Sequence, residues 1–206
     1  MISEIPPSHQ PADGRRRIMD VAAELFLERG VDGASLRQIA DLVGIRAGSI
    51  YYHFASKNEL LVAIFERGIA VMVEAFDEAA ASTADASGHD RLAAHVRAHL
   101  GALYENGPYT AAHVTAFRTA PREVRGAVVP SRDRYEAMWT GLISELVAAH
   151  ALNAQATDGV HRLLLFGAMN TSVEWFDLRR GTLDSLAHAI THQFWSGLAL
   201  DPEEAA

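Results

Sequence analysis

The chain has 206 residues, of which 49% are hydrophobic and 21% charged, and its formal net charge at pH 7 is −8. This length and apolar content are sufficient for a sizeable core, arranged as one large or two small domains, and the absence of cysteine excludes disulfides, thiolate catalysis and cysteine-ligated zinc. The sequence predicts neither a membrane-spanning segment nor a signal peptide, so we expect a cytoplasmic protein without membrane contacts.

The first predicted elements are a mobile arm, residues 1 to about 13, and two amphipathic helices. In each helix apolar residues recur three or four positions apart, which places them on one face. In the first helix these residues are Ile18, Val21, Ala22, Leu25 and Phe26. In the second helix, residues 36–43, they are Leu36, Ile39, Ala40 and Val43. Both helices are therefore expected to pack through one apolar face.

Capping signals bound the second helix. Ser35 and Gln38 have the spacing of a capping box, in which each side chain bonds the backbone of the other residue. Gly44 stands where a helix ends in a left-handed residue, a conformation that glycine adopts without steric cost. The sequence therefore predicts a sharp turn at Gly44.

A third short helix is predicted over residues 46–53, and a long helix begins at Ser56, which forms an S-x-x-E capping pattern with Glu59. The third helix buries Ile50 and has a polar and aromatic outer face. Two short helices joined by a glycine turn form a helix-turn-helix, whose second helix can enter the major groove of DNA. This arrangement predicts a DNA-binding element.

The run of residues 44–61, GIRAGSIYYHFASKNELL, resembles the DNA-binding signature of the TetR family of transcriptional regulators. The matching residues are Gly44, Gly48, Ser49, Tyr51, Tyr52, His53, Phe54, Ser56, Lys57 and Leu60. One departure is Arg46-Ala47, which stands where the family often has a small capping residue followed by lysine or proline. The resemblance implies a helix-turn-helix domain over residues 1–55 and a helical ligand-binding and dimerisation domain over residues 56–206.

The resemblance also implies which residues contact a double-stranded DNA operator. Those nearest the bases are Arg46, Ala47 and Ser49. Those on phosphates are Ser35, Arg37, Tyr51, Tyr52, His53 and Lys57. Base contacts specify the sequence and phosphate contacts position the protein. For Tyr51, Tyr52 and His53, an aromatic patch that braces the long helix is the alternative interpretation.

The acidic net charge does not oppose DNA binding, because it is unevenly distributed. Residues 1–57 contain seven Arg or Lys and seven Asp or Glu, whereas residues 58–206 contain eleven and nineteen. Local cations determine phosphate binding. The triplet Arg15, Arg16 and Arg17 contacts the DNA backbone in one interpretation and is simply solvated in the other.

The remainder of the chain has helical patterns only, which predicts an all-α protein of about nine helices. The predicted helices after Ser56 cover residues 56–81, 89–105, 109–119, 122–150 with an interruption or kink near Pro130, 160–180 and 182–200. The tail, residues 201–206, is expected to be disordered. The last two helices are apolar on more than one face, which requires a second neighbour and predicts a homodimer with a four-helix interface.

Large apolar residues of the C-terminal helices are candidates for the lining of an effector cavity, although most such residues in a helical bundle form plain core. The candidates are Phe65, Met72, Phe76, Tyr104, Tyr109, Phe117, Trp139, Phe166, Met169 and Trp175. Residues 117–139 and 167–177 more loosely resemble TetR regulators that respond to acyl-CoA thioesters in lipid or steroid catabolism. The alternative effector is an unrelated hydrophobic compound such as a drug.

Several arginines in this segment can meet a phosphorylated ligand such as coenzyme A, or form an exposed salt-bridged surface. They are Arg118, Arg122, Arg125, Arg132 and Arg134. The pairs His95/His99 and His188/His192 have a spacing that can chelate zinc, but no third ligand is evident, and neither a metal nor a cofactor is predicted. Enzyme fingerprints are missing, and the remaining alternative is a dimeric interaction protein that has lost DNA binding.

Overall fold

The computed structural model describes the backbone of residues 11–200 and the side chains of residues 13–200. This part of the chain contains nine α-helices, two short 3-10 segments, Phe117–Thr119 and Ala154–Thr157, and no β-strand. The helices are α1 (Pro11–Arg29), α2 (Leu36–Val43), α3 (Ala47–His53), α4 (Lys57–Ser82), α5 (Gly88–Tyr104), α6 (Pro108–Ala116), α7 (Arg122–Ala148), α8 (Gly159–Trp175) and α9 (Leu183–Leu198). The all-α prediction is confirmed. The predicted mobile arm, except its last three residues in α1, and the predicted disordered tail lie outside the described residues.

Helix α2 has the caps that the sequence predicts. The hydroxyl oxygen of Ser35 accepts a hydrogen bond from the backbone N–H of Gln38 (3.2 Å), and the Gln38 side-chain oxygen accepts one from the Ser35 N–H (2.8 Å). Gly44 ends the helix at φ +80°, and its N–H donates to the carbonyl of Ala40 (3.0 Å). The turn into α3 therefore depends on a left-handed residue for which glycine is best suited.

Helix α3 is short, and tertiary contacts hold it against the rest of the N-terminal domain. Ile50 and Phe54 are fully buried beneath it. The guanidinium carbon of Arg15 lies 4.3 Å from the centre of the Phe54 ring. Helix α1 also approaches closely at Gly14, where an added Cβ would lie 3.2 Å from Nε2 of His53. These contacts fix which face of α3 points to solvent.

The start of α4 confirms half of its predicted capping box. The Ser56 hydroxyl accepts from the backbone N–H of Glu59 (3.1 Å). The Glu59 carboxylate, however, accepts from the N–H of Ala55 (2.7 Å), not from that of Ser56. Ala55 lies between two helices, so its N–H has no intrahelical partner, and the carboxylate supplies one.

Two predictions for the C-terminal helices are wrong, an interruption of α7 at Pro130 and the end of α8. Helix α7 continues through Pro130 without interruption: proline removes one backbone donor, but Val128 and Tyr135 on either side are buried on the same packed face. Helix α8 ends at Trp175, five residues earlier than predicted. There the Asp177 carboxylate accepts from the backbone N–H of Arg179 (2.9 Å), a local turn that competes with helix continuation.

Helix α4 is the central element and packs against α5, α6 and α7, while α6 also packs against α1. One connected cluster of buried apolar side chains extends from Ile18 in α1 to Leu198 in α9. The helix-turn-helix is therefore joined to the C-terminal helices through a continuous core. Within the described residues, no helix has the length and apolar character needed to cross a membrane.

Candidate nucleic-acid interface and effector cavity

The solvent-facing side of α3 carries the residues predicted to lie nearest DNA. We call this set, Arg46, Ala47, Ser49, Tyr51 and Tyr52, the α3 surface. All five are exposed, and the exposed fractions of Tyr51 and Tyr52 reach 59% and 80%. The neighbouring Ile50 is completely buried, so the helix is anchored by one side and presents the other to solvent.

Arg46 occupies the N-cap position of α3. Its backbone is extended, and its side chain makes no capping hydrogen bond. A cation at a helix N-terminus is slightly disfavoured by the helix dipole, whereas a neighbouring polyanion reverses that preference. The exposed guanidinium at this position is thus better suited to bound DNA than to the free helix.

The residues predicted to contact phosphates differ in their exposure and in whether their side chains already have partners. Arg37 is exposed on the first turn of α2. The Ser35 hydroxyl is already engaged with Gln38, as acceptor from its N–H and as donor to its side-chain oxygen (3.0 Å). His53 is half-buried, with its ring 5.2 Å from that of Tyr52 in an edge-on arrangement. Arg37, Tyr51 and Tyr52 are therefore the most accessible of this group.

Lys57 has a structural contact that the sequence does not reveal. Its ammonium donates a hydrogen bond to the carbonyl of Val31, at the start of the connection from α1 to α2, and lies 6.0 Å from the centre of the Phe26 ring. An ammonium has three donors, so two remain for an outside acceptor. Lys57 can therefore brace the helix-turn-helix and contact a phosphate at the same time.

The arginine triplet of α1 is divided by the structure. Arg15 is half-buried over Phe54, as described above, whereas Arg16 and Arg17 are exposed. Neither interpretation of the triplet included a packing role for Arg15. Sequence reasoning missed it because the contact depends on how α3 lies across α1, which no local pattern encodes.

A cavity of about 420 Å³ lies among α4, α5, α6, α7 and α8. Its apolar wall is formed by Ile69, Met72, Val114, Leu163, Phe166 and Gly167. Its polar and charged residues are His99, His113, Arg118, Arg132, Tyr135, Glu136 and Asn170. An apolar enclosure with a few polar groups is the usual form of a small-molecule site, and its volume falls within the common range of about 300–1,000 Å³.

Of the predicted lining residues, the structure brings only Met72 and Phe166 to this cavity. Five others are buried in the surrounding core: Phe65, Phe76, Phe117, Trp139 and Met169. Tyr104 bonds the Ser172 hydroxyl (3.1 Å), and Tyr109 lies between α6 and α1, where its hydroxyl donates to Asp20. Trp175 is 60% exposed on α8.

Two buried histidines face the cavity and are uncharged near neutral pH. His99 contacts the Tyr135 hydroxyl through Nδ1 (2.8 Å) and the Asn170 side-chain oxygen through Nε2 (2.9 Å). Burial lowers the pKa of His99 to about 4. Burial, with the nearby positive charge of Arg132, lowers the pKa of His113 to about 3. These side chains therefore supply hydrogen-bonding groups and not charge.

The charged groups of the cavity come from α7 and the segment before it. Arg132 lies over the Phe117 ring (4.2 Å) and 3.4 Å from the Glu136 carboxylate, which also pairs with Arg162 at 2.6 Å. Arg118 is exposed at the same cavity. The other arginines of the predicted set, Arg122, Arg125 and Arg134, do not line it.

The histidine pairs do not assemble a metal site within the described part of the chain, where no three His, Cys, Asp or Glu residues converge. His95 is buried, and its Nδ1 contacts the carbonyl of Arg91 (2.7 Å). His99 instead bonds Tyr135 and Asn170. His188 and His192 are exposed on α9, with ring centres 6.1 Å apart.

Helix α8 exposes large apolar side chains that its own chain does not cover. We call this set, Val160, Leu163, Leu164 and Trp175, the α8 surface; its members are each 59–63% exposed. Beside them an apolar groove between α8 and α9 is lined by residues that include Leu164, Leu165, Ile190 and Phe194. The predicted second apolar face of these helices is thus present in the structure.

Comparison with known proteins identifies the family. Residues 18–64 match the family described as bacterial regulatory proteins, tetR family. Residues 85–198, more than half of the chain, match the tetracyclin repressor-like C-terminal domain. The first match covers most of the helix-turn-helix domain, and the second covers α5 to α9, which carry the α8 surface and the cavity lining apart from that of α4.

Individual relatives support this match. The transcriptional repressor KstR2 of Mycolicibacterium smegmatis is 42% identical over 52 residues, 25% of each chain, so the chain spans about a quarter of that relative. The fatty acid metabolism regulator protein of Bacillus subtilis is 23% identical over 186 residues, 88% of this chain and 94% of the relative. The crystal structure of AibR with isovaleryl coenzyme A and operator DNA has the same fold, with a TM-score of 0.75, 21% identity and coverage of 87% and 97%. The chain therefore belongs to the TetR family, whose members are transcriptional regulators and not enzymes.

Proposed function

We propose that this protein is a ligand-responsive transcriptional regulator, acting as a repressor, that binds a palindromic operator as a homodimer. The observation that carries the proposal is the α3 surface, in which arginine and two tyrosines are exposed above a fully buried anchor. In our proposal Arg46, Ala47 and Ser49 lie nearest the bases, and the other predicted residues contact phosphates. The proposed division after residue 55 separates these groups, except Lys57 at the start of α4, from the effector domain.

The α8 surface supports the homodimer. Four large apolar side chains remain exposed in a single chain, and contiguous exposed apolar surface marks a protein interface. In a two-fold dimer, the same surface of each subunit contacts its counterpart. Such a dimer would present two α3 helices to half-sites about 34–36 Å apart.

The proposed effector occupies the cavity among α4 to α8, and is a hydrophobic or acyl-CoA-like compound. The relatives support this class: AibR is solved with isovaleryl coenzyme A, and the Bacillus relative regulates fatty acid metabolism. The alternative effector is an unrelated hydrophobic compound such as a drug, supported by the apolar wall of the cavity.

The structure offers two connections from the cavity to the DNA-binding helices. Helix α4 begins at its Ser56 cap in the helix-turn-helix and contributes Met72 to the cavity. Helix α6 contributes His113 and contacts α1 through Tyr109 and Asp20. Helix α6 also packs closely on α4, where the Thr110 hydroxyl donates to the Gly68 carbonyl (3.0 Å). A ligand that separates α6 from α4 or α7 would therefore shift both elements that carry α3.

The proposal is tested by retardation of genomic DNA fragments by the full chain at low salt, followed by footprinting of a retained fragment. We expect a two-fold symmetric footprint and an affinity that falls as salt rises, because phosphate contacts release counterions. Failure to retard any duplex at low salt would contradict DNA binding and favour a dimeric interaction protein.

A further inference from the structure

The charges around the effector cavity do not balance. Three guanidinium groups, those of Arg118, Arg132 and Arg162, lie at or beside it, whereas Glu136 supplies one carboxylate. Glu136 pairs with both Arg132 and Arg162. Among the described residues, Arg118 has no carboxylate partner. A net positive site thus lies in the part of the chain, residues 58–206, that has eleven basic and nineteen acidic residues.

The positive groups lie at the more exposed part of the cavity lining, and the buried part is mainly apolar with uncharged polar groups. Arg118 is exposed and the side chain of Arg132 is 35% exposed. Met72 and the histidines His99 and His113 are nearly inaccessible, with exposed fractions of at most 4%. A ligand that fills this space would therefore have an apolar body inside and a polar end at the arginines.

One buried polar atom of the cavity lacks a partner. Nδ1 of His113 makes no hydrogen bond within the described part of the chain, although the residue is only 4% exposed. His99, by contrast, has both ring nitrogens engaged. An unpaired buried polar atom is costly, so a ligand group that bonds it would be favoured. His113 is thus placed to select ligands that carry a polar group near the apolar body.

We infer that the effector is an amphipathic anion, with its apolar body between α4 and α8 and its anionic group at Arg118 and Arg132. This inference rests on the proposed function and names the class of its effector. A neutral compound of the same shape would remove water from part of Arg132 without supplying an opposite charge, and this desolvation costs binding free energy. The anionic group belongs either to the carboxylate of a free acid or to the phosphates of a thioester such as an acyl-coenzyme A.

A matched pair of fluorescent probes tests the charge requirement. 1-Anilinonaphthalene-8-sulfonate and N-phenyl-1-naphthylamine share one aromatic body and differ by the sulfonate. In fluorescence titrations of the full chain, we expect the anionic probe to bind about tenfold more tightly than the neutral one, because charge-assisted bonds are the stronger ones. Equal affinities, or tighter binding of the neutral probe, would overturn the inference.

Variants locate the effect. Arg118→Gln and Arg132→Gln should each weaken the anionic probe about fivefold, a modest value because both groups are partly exposed, and should leave the neutral probe within about twofold. The matched control is Arg122→Gln, which changes an exposed arginine that does not line the cavity. Unchanged binding of the anionic probe to both cavity variants would contradict the assignment.

The cavity must also be distinguished from the apolar groove between α8 and α9. Val114→Trp fills the cavity from α6 and should abolish binding of the anionic probe while the helical circular dichroism spectrum stays unchanged. Retained binding in this folded variant would place the probe elsewhere and overturn the inference. Ala189→Trp, which narrows the groove from an exposed position instead, should leave the anionic probe bound.

Competition then identifies the source of the anion. Octanoate that displaces the sulfonate probe better than octanoyl-coenzyme A indicates a carboxylate, and the reverse order indicates thioester phosphates. Octanol that competes as well as either would contradict an anionic effector. These titrations contain no DNA, so their failure would not affect the retardation test of the proposed regulator, and failure of DNA retardation would not change the probe affinities.

Discussion

The α3 surface and the α8 surface both expose large side chains, but they differ in chemistry. On α3 the exposed residues include an arginine and two tyrosines, which combine apolar rings with polar ends. On α8 they are valine, leucines and tryptophan, which have little to offer a polyanion. The first set suits phosphates and base edges, whereas the second suits another apolar surface.

The difference shows how two unpaired surfaces of one chain can be assigned to different partners. Exposed apolar area alone does not distinguish them, because Tyr52 is more exposed than any member of the α8 surface. The distinguishing feature is hydrogen-bonding capacity: each tyrosine on α3 has a hydroxyl, and the leucines on α8 have no polar atom in the side chain.

The largest expected effect comes from a charge in the α8 surface. Leu164→Glu would place a carboxylate in the proposed dimer contact, where burial without a partner is costly. We expect a monomer in sedimentation equilibrium and operator affinity lower by about 100-fold or more, because the two half-sites would no longer be bound together.

Val129→Glu is the matched control for this change. Val129 is also an exposed apolar residue, 40% accessible, but it lies on α7 outside the α8–α9 groove. The control should remain dimeric and bind the operator like the parent. A dimeric Leu164→Glu variant with parental operator affinity would show that the α8 surface is not the subunit contact.

A smaller effect is expected at the edge of the DNA-binding region. Lys57→Ala should weaken binding to all duplexes alike, by about threefold to tenfold. It should also reduce the salt slope, which is the slope of log affinity against log salt concentration, by about one unit. The variant also loses the bond to the Val31 carbonyl, so its thermal stability must be measured in parallel.

Lys57→Arg keeps the charge and is the control. Its salt slope should equal that of the parent even if its stability falls, because the guanidinium can reach a phosphate without reproducing the Val31 bond. A Lys57→Ala variant that loses stability but keeps the parental salt slope would assign Lys57 a purely structural role.

The smallest effect concerns the connection between the two regions. Tyr109→Phe removes the hydroxyl that bonds Asp20, and with it one contact from α6 to α1. We expect the factor by which saturating 1-anilinonaphthalene-8-sulfonate weakens operator binding to fall about threefold, a value typical of a modest coupling energy. The operator affinity without the probe should change by less than about twofold.

Tyr104→Phe is the control for this coupling measurement, because it removes a similar hydroxyl whose partner, Ser172, lies within the C-terminal helices. Its coupling factor should match that of the parent. If both variants lower the factor equally, the contact between Tyr109 and Asp20 has no special part in communication.

The sequence predicts the N-terminal elements well because their signals are local. The caps at Ser35, Gly44 and Ser56 each involve residues within a few positions of one another, and all three caps are present. The sequence predicts an interruption or kink near Pro130, and the interruption does not occur, because packing of the flanking residues on one face outweighs a single missing donor. Local signals therefore fail where tertiary contacts decide.

The cavity is less predictable for the same reason. Met72 and Trp139 both occupy apolar positions of a predicted helix, yet Met72 lines the cavity and Trp139 is buried in the core. The difference depends on where neighbouring helices leave space. His99 and His113 carry a usable signal, because histidines on otherwise apolar helix faces need partners. The sequence interpretation assigned His99 only to a possible metal pair and did not consider His113.

The most direct test of the central claim, that α3 reads DNA sequence, is a parallel selection of bound genomic fragments by the parent and by Arg46→Ala at one salt concentration. We expect the parent to enrich a palindrome and the variant to enrich a relaxed or altered half-site with the same spacing, since loss of a base contact costs about 1–3 kcal/mol at one position. Enrichment of the same sequences with the same preference by both proteins would contradict the assignment of α3 as the recognition helix.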